Sequence, residues 1–361
     1  MYTVTWRNIA AVIGLTLSAL FPAARADIIV GCGDVPALIA AVNTANTTAE
    51  NVIQLSPGCT YALTAADNAG ANGANGLPVV TGPMVVSGNG AVIARDGGAP
   101  DFRIMEIAPG GSIALINVSL ANGHAAGAGN AGSGGAVFVG AGGILTVQAS
   151  ILAAAAFAGN VADNRGGALF IGQDGLVTVE AVTTATNLIA FNAAGTDGGG
   201  VFIAEGGILT VQNVVSNSDL IAFNVAGQDG GGIYIAQGGS IGIQNASLTG
   251  SVIAGNRALR DGGGAYIAQA GGLNVQSSAL DGALVTLNVA DRNGGGIHMG
   301  QGGTLNLQNL TVSAALIFAN SAGANGGGVY CVQAGAFNIQ NTTFNGVVID
   351  GNSAAIDGGG I

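Results

Sequence analysis

The feature that most constrains this chain is a repeat of 32 residues whose phase never slips between about Ser133 and the last residue. In rows of that length, Asp197-Gly-Gly-Gly-Val, Asp229-Gly-Gly-Gly-Ile, Asp261-Gly-Gly-Gly-Ala, Asn293-Gly-Gly-Gly-Ile, Asn325-Gly-Gly-Gly-Val and Asp357-Gly-Gly-Gly-Ile share one column. Earlier rows carry Gly134-Gly135 and Gly166-Gly167 in the same frame, and a degenerate row from Asp101 places Gly110-Gly111 in phase. A period of about 20 to 50 residues marks a solenoid, because one unit cannot bury its apolar face alone and must stack on its neighbours.

Each row holds three short β-type runs between turn residues, as in Val201 to Ala204, Ile208 to Gln212 and Leu220 to Phe223. The second run alternates: Leu145, Val177, Leu209, Ile241, Leu273, Leu305 and Phe337 share one column, and Val147, Val179, Val211, Ile243, Val275, Leu307 and Ile339 another. Both point inward by the two-residue period of a strand, and the column between them, Thr146, Thr178, Thr210, Gly242, Asn274, Asn306 and Asn338, is expected to face solvent. The fold class expected is all-β: a right-handed, single-stranded parallel β-helix of 32-residue coils, with an N-terminal cap holding one short helix.

Two polar columns are nearly uniform. One runs Gln148, Glu180, Gln212, Gln244, Gln276, Gln308 and Gln340; the other runs Asn160, Asn192, Asn224, Asn256, Asn288, Asn320 and Asn352. Amides stacked about 4.8 Å apart can bond along the axis and satisfy turn backbone, so the Asn column is expected to hold a corner as a structural ladder. The alanines two residues later, Ala162 to Ala354, fit a bend with no room for a larger side chain.

The layout expected is a signal peptide over 1–26, a cap with the first irregular coils over 27–100, and repeats over 101–361. Arg7, the apolar stretch Ile9 to Phe21 and the small-x-small site Ala24-Arg25-Ala26 compose the signal. Those 13 residues fall short of the roughly 20 that a spanning helix needs, and no later segment is a transmembrane candidate. Asp34 before Val35, Pro36, Leu38, Ile39 and Val42 reads as an N-capped amphipathic helix. Strands over Asn51 to Leu55 and Thr60 to Thr64 and an Asn- and Gly-rich loop from Asp67 to Gly76 follow it. The chain stops at Ile361 as another row begins, so the reading is of a truncated product or fragment.

Export would carry Cys32 and Cys59 into an oxidising compartment, where a disulfide between them is expected. Cys331 stands in a column of Val, Ile and Met and reads as a buried apolar residue.

Nineteen acidic residues against eight arginines and no lysine give a net charge of -11, which excludes nucleic acid as a partner, since that needs a basic footprint. Enzymes on such scaffolds need converging carboxylates or a positioned base in a walled cleft. Here seven successive rows carry no insertion, and no arginine joins an acidic cluster outside the turn columns, so no catalytic residue is assigned. The column of Asp197, Asp229 and Asp261 stacks like charges, which Ca2+ could offset; turn formation, with Arg260 and Arg292 as counter-charges, is the favoured reading. No other cofactor is expected. Asn245, Asn309 and Asn341 begin Asn-x-Ser/Thr sequences, for which a turn role is the better explanation. Phe138, Phe170, Phe202, Tyr234, Tyr266, His298 and Tyr330 form a column flanked by aliphatic ones. If the flanks point inward, the rings form an outward stripe, with Tyr234, Tyr266, His298 and Tyr330 as candidate binding residues; alternatively the rings stack on one another and stabilise the strand.

Gly134-Gly135-Ala136-Val137, Gly166-Gly167-Ala168-Leu169 and Phe157-Ala158-Gly159-Asn160 resemble the Gly-Gly-Ala-aliphatic and Phe-x-x-Asn motifs of the polymorphic outer membrane proteins, autotransporter-like surface proteins and adhesins. Later rows use Gly-Gly-Gly and replace the Phe, as in Ile189-Ala190-Phe191-Asn192. The run Cys32 to Tyr61 is similar to the capping segment of large bacterial extracellular β-helix proteins. The resemblance implies a secreted or cell-surface location, at the outer membrane, and a passenger presenting an adhesive face to a glycan or a host or partner cell-surface protein. The function expected is therefore a non-catalytic adhesin or recognition scaffold, with a polysaccharide lyase or hydrolase, or its inactive remnant, and a purely structural spacer as the alternatives.

Overall fold

Each row closes into one coil because its turns return every strand to a position directly over its counterpart 32 residues on. Val201 pairs with Ile233, Ile208 with Ser240, Val215 with Ser247, Ile221 with Ile253 and Val225 with Arg257, all parallel. The result is an all-β parallel solenoid of about nine coils. This computed structural model describes residues 27–48, 52–148, 151–152 and 154–361. The expected signal peptide over 1–26 lies outside the described residues, as does Asn51. Among the described residues no helix is long and apolar enough to cross a membrane.

Five strands, rather than three, make up a regular coil. Val201–Ile203, Ile208–Gln212 and Ile221–Ala222 match the expected runs, while Val215–Ser216 and Val225–Ala226 add two-residue pairings that are too short to show an alternation in sequence. The core is continuous: Val201, Ile203, Leu209, Val211, Leu220 and Ile221 and their counterparts in neighbouring coils form one buried cluster.

The expectation that the column between the inward residues faces solvent holds in direction, with Asn338 exposed and Thr146 and Asn306 half-buried, but needs correction at three positions. Thr178, Thr210 and Asn274 point away from the core yet are buried. Adjacent strands lie about 4.8 Å apart, so a short polar side chain is shielded by its equivalents above and below. From Asn274 onward this column is itself a ladder, with Asn306 Nδ2 donating to Asn274 Oδ1 and Asn338 Nδ2 to Asn306 Oδ1, each at 2.7 Å.

The corner ahead of the fifth strand is where main-chain pairing would fail. The residue before each ladder Asn has a left-handed backbone, with φ 59° at Phe191 and 56° at Phe223. That turn points a peptide carbonyl away from the coil below, and an asparagine carbonyl replaces it. Asn192 N–H and Nδ2 both donate to Asn224 Oδ1, at 3.0 and 2.9 Å, and Asn224 repeats both bonds to Asn256. The second proton on Asn224 Nδ2 reaches Ile189 O, 3.1 Å away on the coil behind. The amides from Asn160 to Asn320 are buried, so every donor they satisfy would otherwise be stranded away from water.

The glycine column has a different cause. Gly230 has φ +66°, and a Cβ on Gly231 would lie 2.2 Å from Gly263 O and 2.4 Å from the Arg257 carbonyl carbon. Coils meet backbone to backbone at this turn, so no side chain fits.

The parallel ladder already begins within 27–100. Asp27–Val30 pairs with Val52–Leu55, which pairs with the long strand Pro83–Arg95; Leu120 still pairs with Phe157 and His124 with Val161, and the register locks at 32 residues from Val137. Helix α1, Val35–Thr47, starts at Asp34, whose Oδ1 accepts from Ala37 N–H at 2.9 Å. It buries Leu38, Ala41, Val42 and Ala45 against the first strands and covers the end of the core. A disulfide joins Cys32 to Cys59. The segment expected to be a loop from Asp67 to Gly76 contains an antiparallel hairpin, Asn68–Gly70 with Gly73–Asn75. Cys331 differs too: it ends the last strand of its sheet and is exposed rather than buried.

Asn224→Ala would strand Asn192 N–H and Nδ2 together and is expected to cost about 3 kcal/mol in equilibrium denaturation. Gln308→Ala, in the partly exposed amide ladder, should cost under about 1 kcal/mol. Equal losses would refute a special role for the buried ladder.

Candidate functional site

The aromatic column forms one stack along the axis. Ring centroids are 4.7 Å apart between Phe138 and Phe170, 5.2 Å between Phe170 and Phe202, and 5.0 Å between Phe202 and Tyr234 and between Tyr234 and Tyr266. His298 continues the stack at 4.6 Å, and Tyr330 meets it tilted by 45° at 5.1 Å. The flanking aliphatic residues point into the core and the rings point away from it, as the alternation requires. An exposed stripe does not result. The rings shield one another so closely that Phe138, Phe170, Phe202 and His298 are buried, and Tyr234, Tyr266 and Tyr330 remain half-buried. Of the four candidate binding residues, Tyr234 and Tyr266 therefore present an edge to solvent, His298 fills the space between Tyr266 and Tyr330, and Tyr330 lies on the last strand of its sheet with a ring on one side only.

The stack begins at a buried charge. Glu106 stands one coil before Phe138 in the same column, and the hairpin closes over it: Asn72 Nδ2 donates to Glu106 Oε1 at 2.7 Å and Asn75 Nδ2 to Oε2 at 3.0 Å. Arg103 lies beside it with its guanidinium 4.9 Å from the Phe138 centroid, donating to the carbonyls of Asn72, Asn130 and Ala131. Burial pushes Arg103 down to about 10, against the pull of Glu106. These roles were invisible in sequence, because Glu106 and Arg103 sit in the degenerate row where the columns are weakest.

Alongside the tyrosines run the aspartates considered for Ca2+. Asp197, Asp229 and Asp261 are buried, and each carboxylate meets an arginine. Arg165 Nε lies 3.4 Å from Asp197, Arg260 grips Asp229 through Nε and Nη2, and Arg292 Nη2 donates to Asp261 at 2.9 Å. The carboxylates also accept along the axis: Asp229 Oδ1 from Asp261 N–H at 3.1 Å, and Asp261 Oδ1 from Asn293 N–H at 2.9 Å. The compensating charge is thus a guanidinium at each step. Among the described residues no three His, Cys, Asp or Glu side chains are grouped to hold a metal ion. Burial and the Asp197 charge push the Tyr234 hydroxyl up to about 12, and burial with Asp229 and Asp261 raises that of Tyr266, so both remain donors.

A second constellation surrounds His124. Its Nδ1 lies 2.8 Å from Asp101 Oδ1 and its Nε2 3.0 Å from Asp163 Oδ1, while Asp163 Oδ2 accepts from Gly127 N–H at 2.9 Å. Burial raises the Asp163 carboxyl, but the His124 and Gly127 bonds outweigh it and hold the group below the ordinary aspartate range. The contacts tie two turns to the first regular coil. The left-handed Asn245, Asn309 and Asn341, with φ 51°, 55° and 48°, are turn residues.

No protein-family model, no curated protein and no solved structure matches this chain.

Burial first, then Asp229, raises the Asp197 carboxyl above the usual value near 3.8, with Arg165 opposing. A raised acid contributes stability below that value and loses it as pH rises through the folded one, so at neutral pH the Asp197 charge is a cost. Asp197→Asn should raise the thermal midpoint by about 1–3 °C, whereas Asp229→Asn, which removes a two-point partner of Arg260, should lower it; the reverse order in calorimetry would contradict the charge assignment. Burial lowers the His298 imidazole below its usual 6.5. The stability it contributes is present above 6.5 and declines as pH falls through the lower folded value. His298→Tyr should therefore flatten the loss of stability between about pH 7 and pH 5, where unfolded histidine titrates; an unchanged pH profile would argue against it.

Proposed function

We propose that this chain is an exported, non-catalytic β-solenoid that acts in recognition at a cell surface. The observation that carries the reading is the pair of half-buried tyrosine edges at Tyr234 and Tyr266, stacked at 5.0 Å beside aspartates whose arginine partners face solvent. Tyrosine offers large, rigid contact area and a hydroxyl at little conformational cost. A rigid repeat of such groups suits an extended partner more than a small molecule, which needs a concave, mostly enclosing site. Coils without insertions from Ser133 onward leave this face open.

Two further observations support the location. The Cys32–Cys59 disulfide is the bond expected of a protein matured in an oxidising compartment. The Gly-Gly-Ala-aliphatic and Phe-x-x-Asn rows resemble those of polymorphic outer membrane proteins and related adhesins, which favours a passenger at the outer surface.

The soluble chain applied to a glycan array and to intact cells should give saturable, surface-dependent binding, and Tyr234→Ala/Tyr266→Ala, with its circular dichroism preserved, should weaken it about tenfold. Binding to neither surface would overturn the reading. Turnover of any tested polysaccharide, with or without calcium, would overturn its non-catalytic part.

A further inference from the structure

The charge pairs beside the tyrosines are asymmetric. The side chains of Asp197, Asp229 and Asp261 are 11%, 4% and 6% exposed, while those of their partners Arg165, Arg260 and Arg292 are 46%, 42% and 58% exposed. The pair Arg257–Asp291, outside the strip, has no such bias, at 52% and 42%. Each strip pair is neutral as a unit, yet solvent meets the guanidinium and not the carboxylate. In a chain of -11 with eight arginines and no lysine, Arg260 and Arg292 share one column on successive coils, while Arg165 stands 95 residues before Arg260 with its guanidinium over the Phe202 ring.

Donor capacity remains there. Arg260 spends Nε and Nη2 on Asp229, and Arg292 spends Nη2 on Asp261, so among the described residues the Nη1 edges of both forks are left for another acceptor. Arg260 and Arg292 sit on successive coils, 32 residues apart, beside Tyr266 and His298. A guanidinium fork fits planar carboxylate or sulfate oxygens better than a lysine ammonium does, and tyrosine edges complement the C–H faces and hydroxyls of a sugar. Nucleic acid would need a far denser row of cations than three paired ones on an acidic protein.

We propose that the strip of Tyr234 and Tyr266 with Arg260 and Arg292 binds a linear acidic polysaccharide lying along the solenoid axis. The proposal rests on the recognition reading above and names its ligand class. One sugar of an extended chain advances about as far as one coil, roughly 4.8 Å, so neighbouring acidic groups can meet Arg260 and Arg292, and the stacked rings keep that spacing fixed. No cleft is required, because the polymer gains affinity from many shallow, repeated contacts.

The test uses the full chain and biolayer interferometry against polygalacturonate, a sulfated galactan and fully methyl-esterified polygalacturonate, which keeps the sugar backbone and masks its charge. The variant Asp229→Asn/Arg260→Gln/Asp261→Asn/Arg292→Gln removes the two guanidiniums on successive coils together with their buried carboxylates and leaves the Arg165–Asp197 pair in place. Net charge is thus unchanged and no ion is stranded in the interior. The wild-type chain is expected to bind at least one of the two anionic polymers at least tenfold more tightly than the ester, and the variant, at a similar thermal midpoint, to lose that difference. A preference for the carboxylate or the sulfate polymer identifies which acidic group the forks take. Equal binding of ester and acid, undiminished binding by the variant, or tighter binding of polyglutamate or single-stranded DNA would overturn the proposal. Should cells or neutral glycans be bound while all the acidic polymers fail, this inference falls and the recognition reading stands; if nothing is bound, both fall.

Discussion

The structure depends on a substitution of one carbonyl for another. Parallel coils can share hydrogen bonds only where their peptides lie in line, and a coil that turns sharply must lose that alignment somewhere. Here the loss occurs at the left-handed residue before each ladder asparagine, and Asn Oδ1 supplies the acceptor that the main chain has turned away. One side chain satisfies two donors of the coil before it and reaches back with its own amide. The left-handed residue costs about 1–2 kcal/mol when it is not glycine, and the column tolerates Phe191, Phe223 and Leu287 there, which sets a lower bound on what the ladder returns.

That corner also explains the strict period. A strand slipped by one residue would turn its inward columns outward and place a left-handed residue where Asn must bond. Insertions are therefore excluded from every coil that carries the ladder, and the glycine turn excludes side chains as well. Gly-Gly-Ala at 134–136 and Gly-Gly-Gly at 198–200 differ only at the third position, where the clash is mildest. Inward columns and ladders were legible for this reason, because each repeats a local requirement that one residue type meets.

What was not legible concerns distances between coils. Alternation tells which way a side chain points, and it gave the direction of the threonine and tyrosine columns correctly. It does not tell whether neighbours one strand away will cover that side chain. Thr178 is short enough to be covered and Phe138 flat enough to be stacked over, so both are buried while pointing out. The arginines show the same limit. Arg260 is the chain neighbour of Asp261 but takes Asp229 on the coil before, since its immediate neighbour points elsewhere at a turn. The hairpin over Glu106 was hidden because an asparagine- and glycine-rich segment reads as a loop unless something buried waits beneath it.

In a scaffold fixed so tightly, information about function lies where a column departs from its own rule. The ladder, the glycine turn and the inward columns change little from coil to coil, and their constancy reflects packing. The outward columns vary from coil to coil: phenylalanine gives way to tyrosine at Tyr234, arginines occupy one column only at Arg260 and Arg292, and asparagine replaces aspartate at Asn293 and Asn325. Stacking alone would be served equally well by phenylalanine throughout, as it is from Phe138 to Phe202. Hydroxyls along a ladder edge, beside cations whose partners are buried, add nothing that stacking needs. They alter only what solvent meets, and so the second half of the strip is the part of this molecule whose chemistry the fold does not account for.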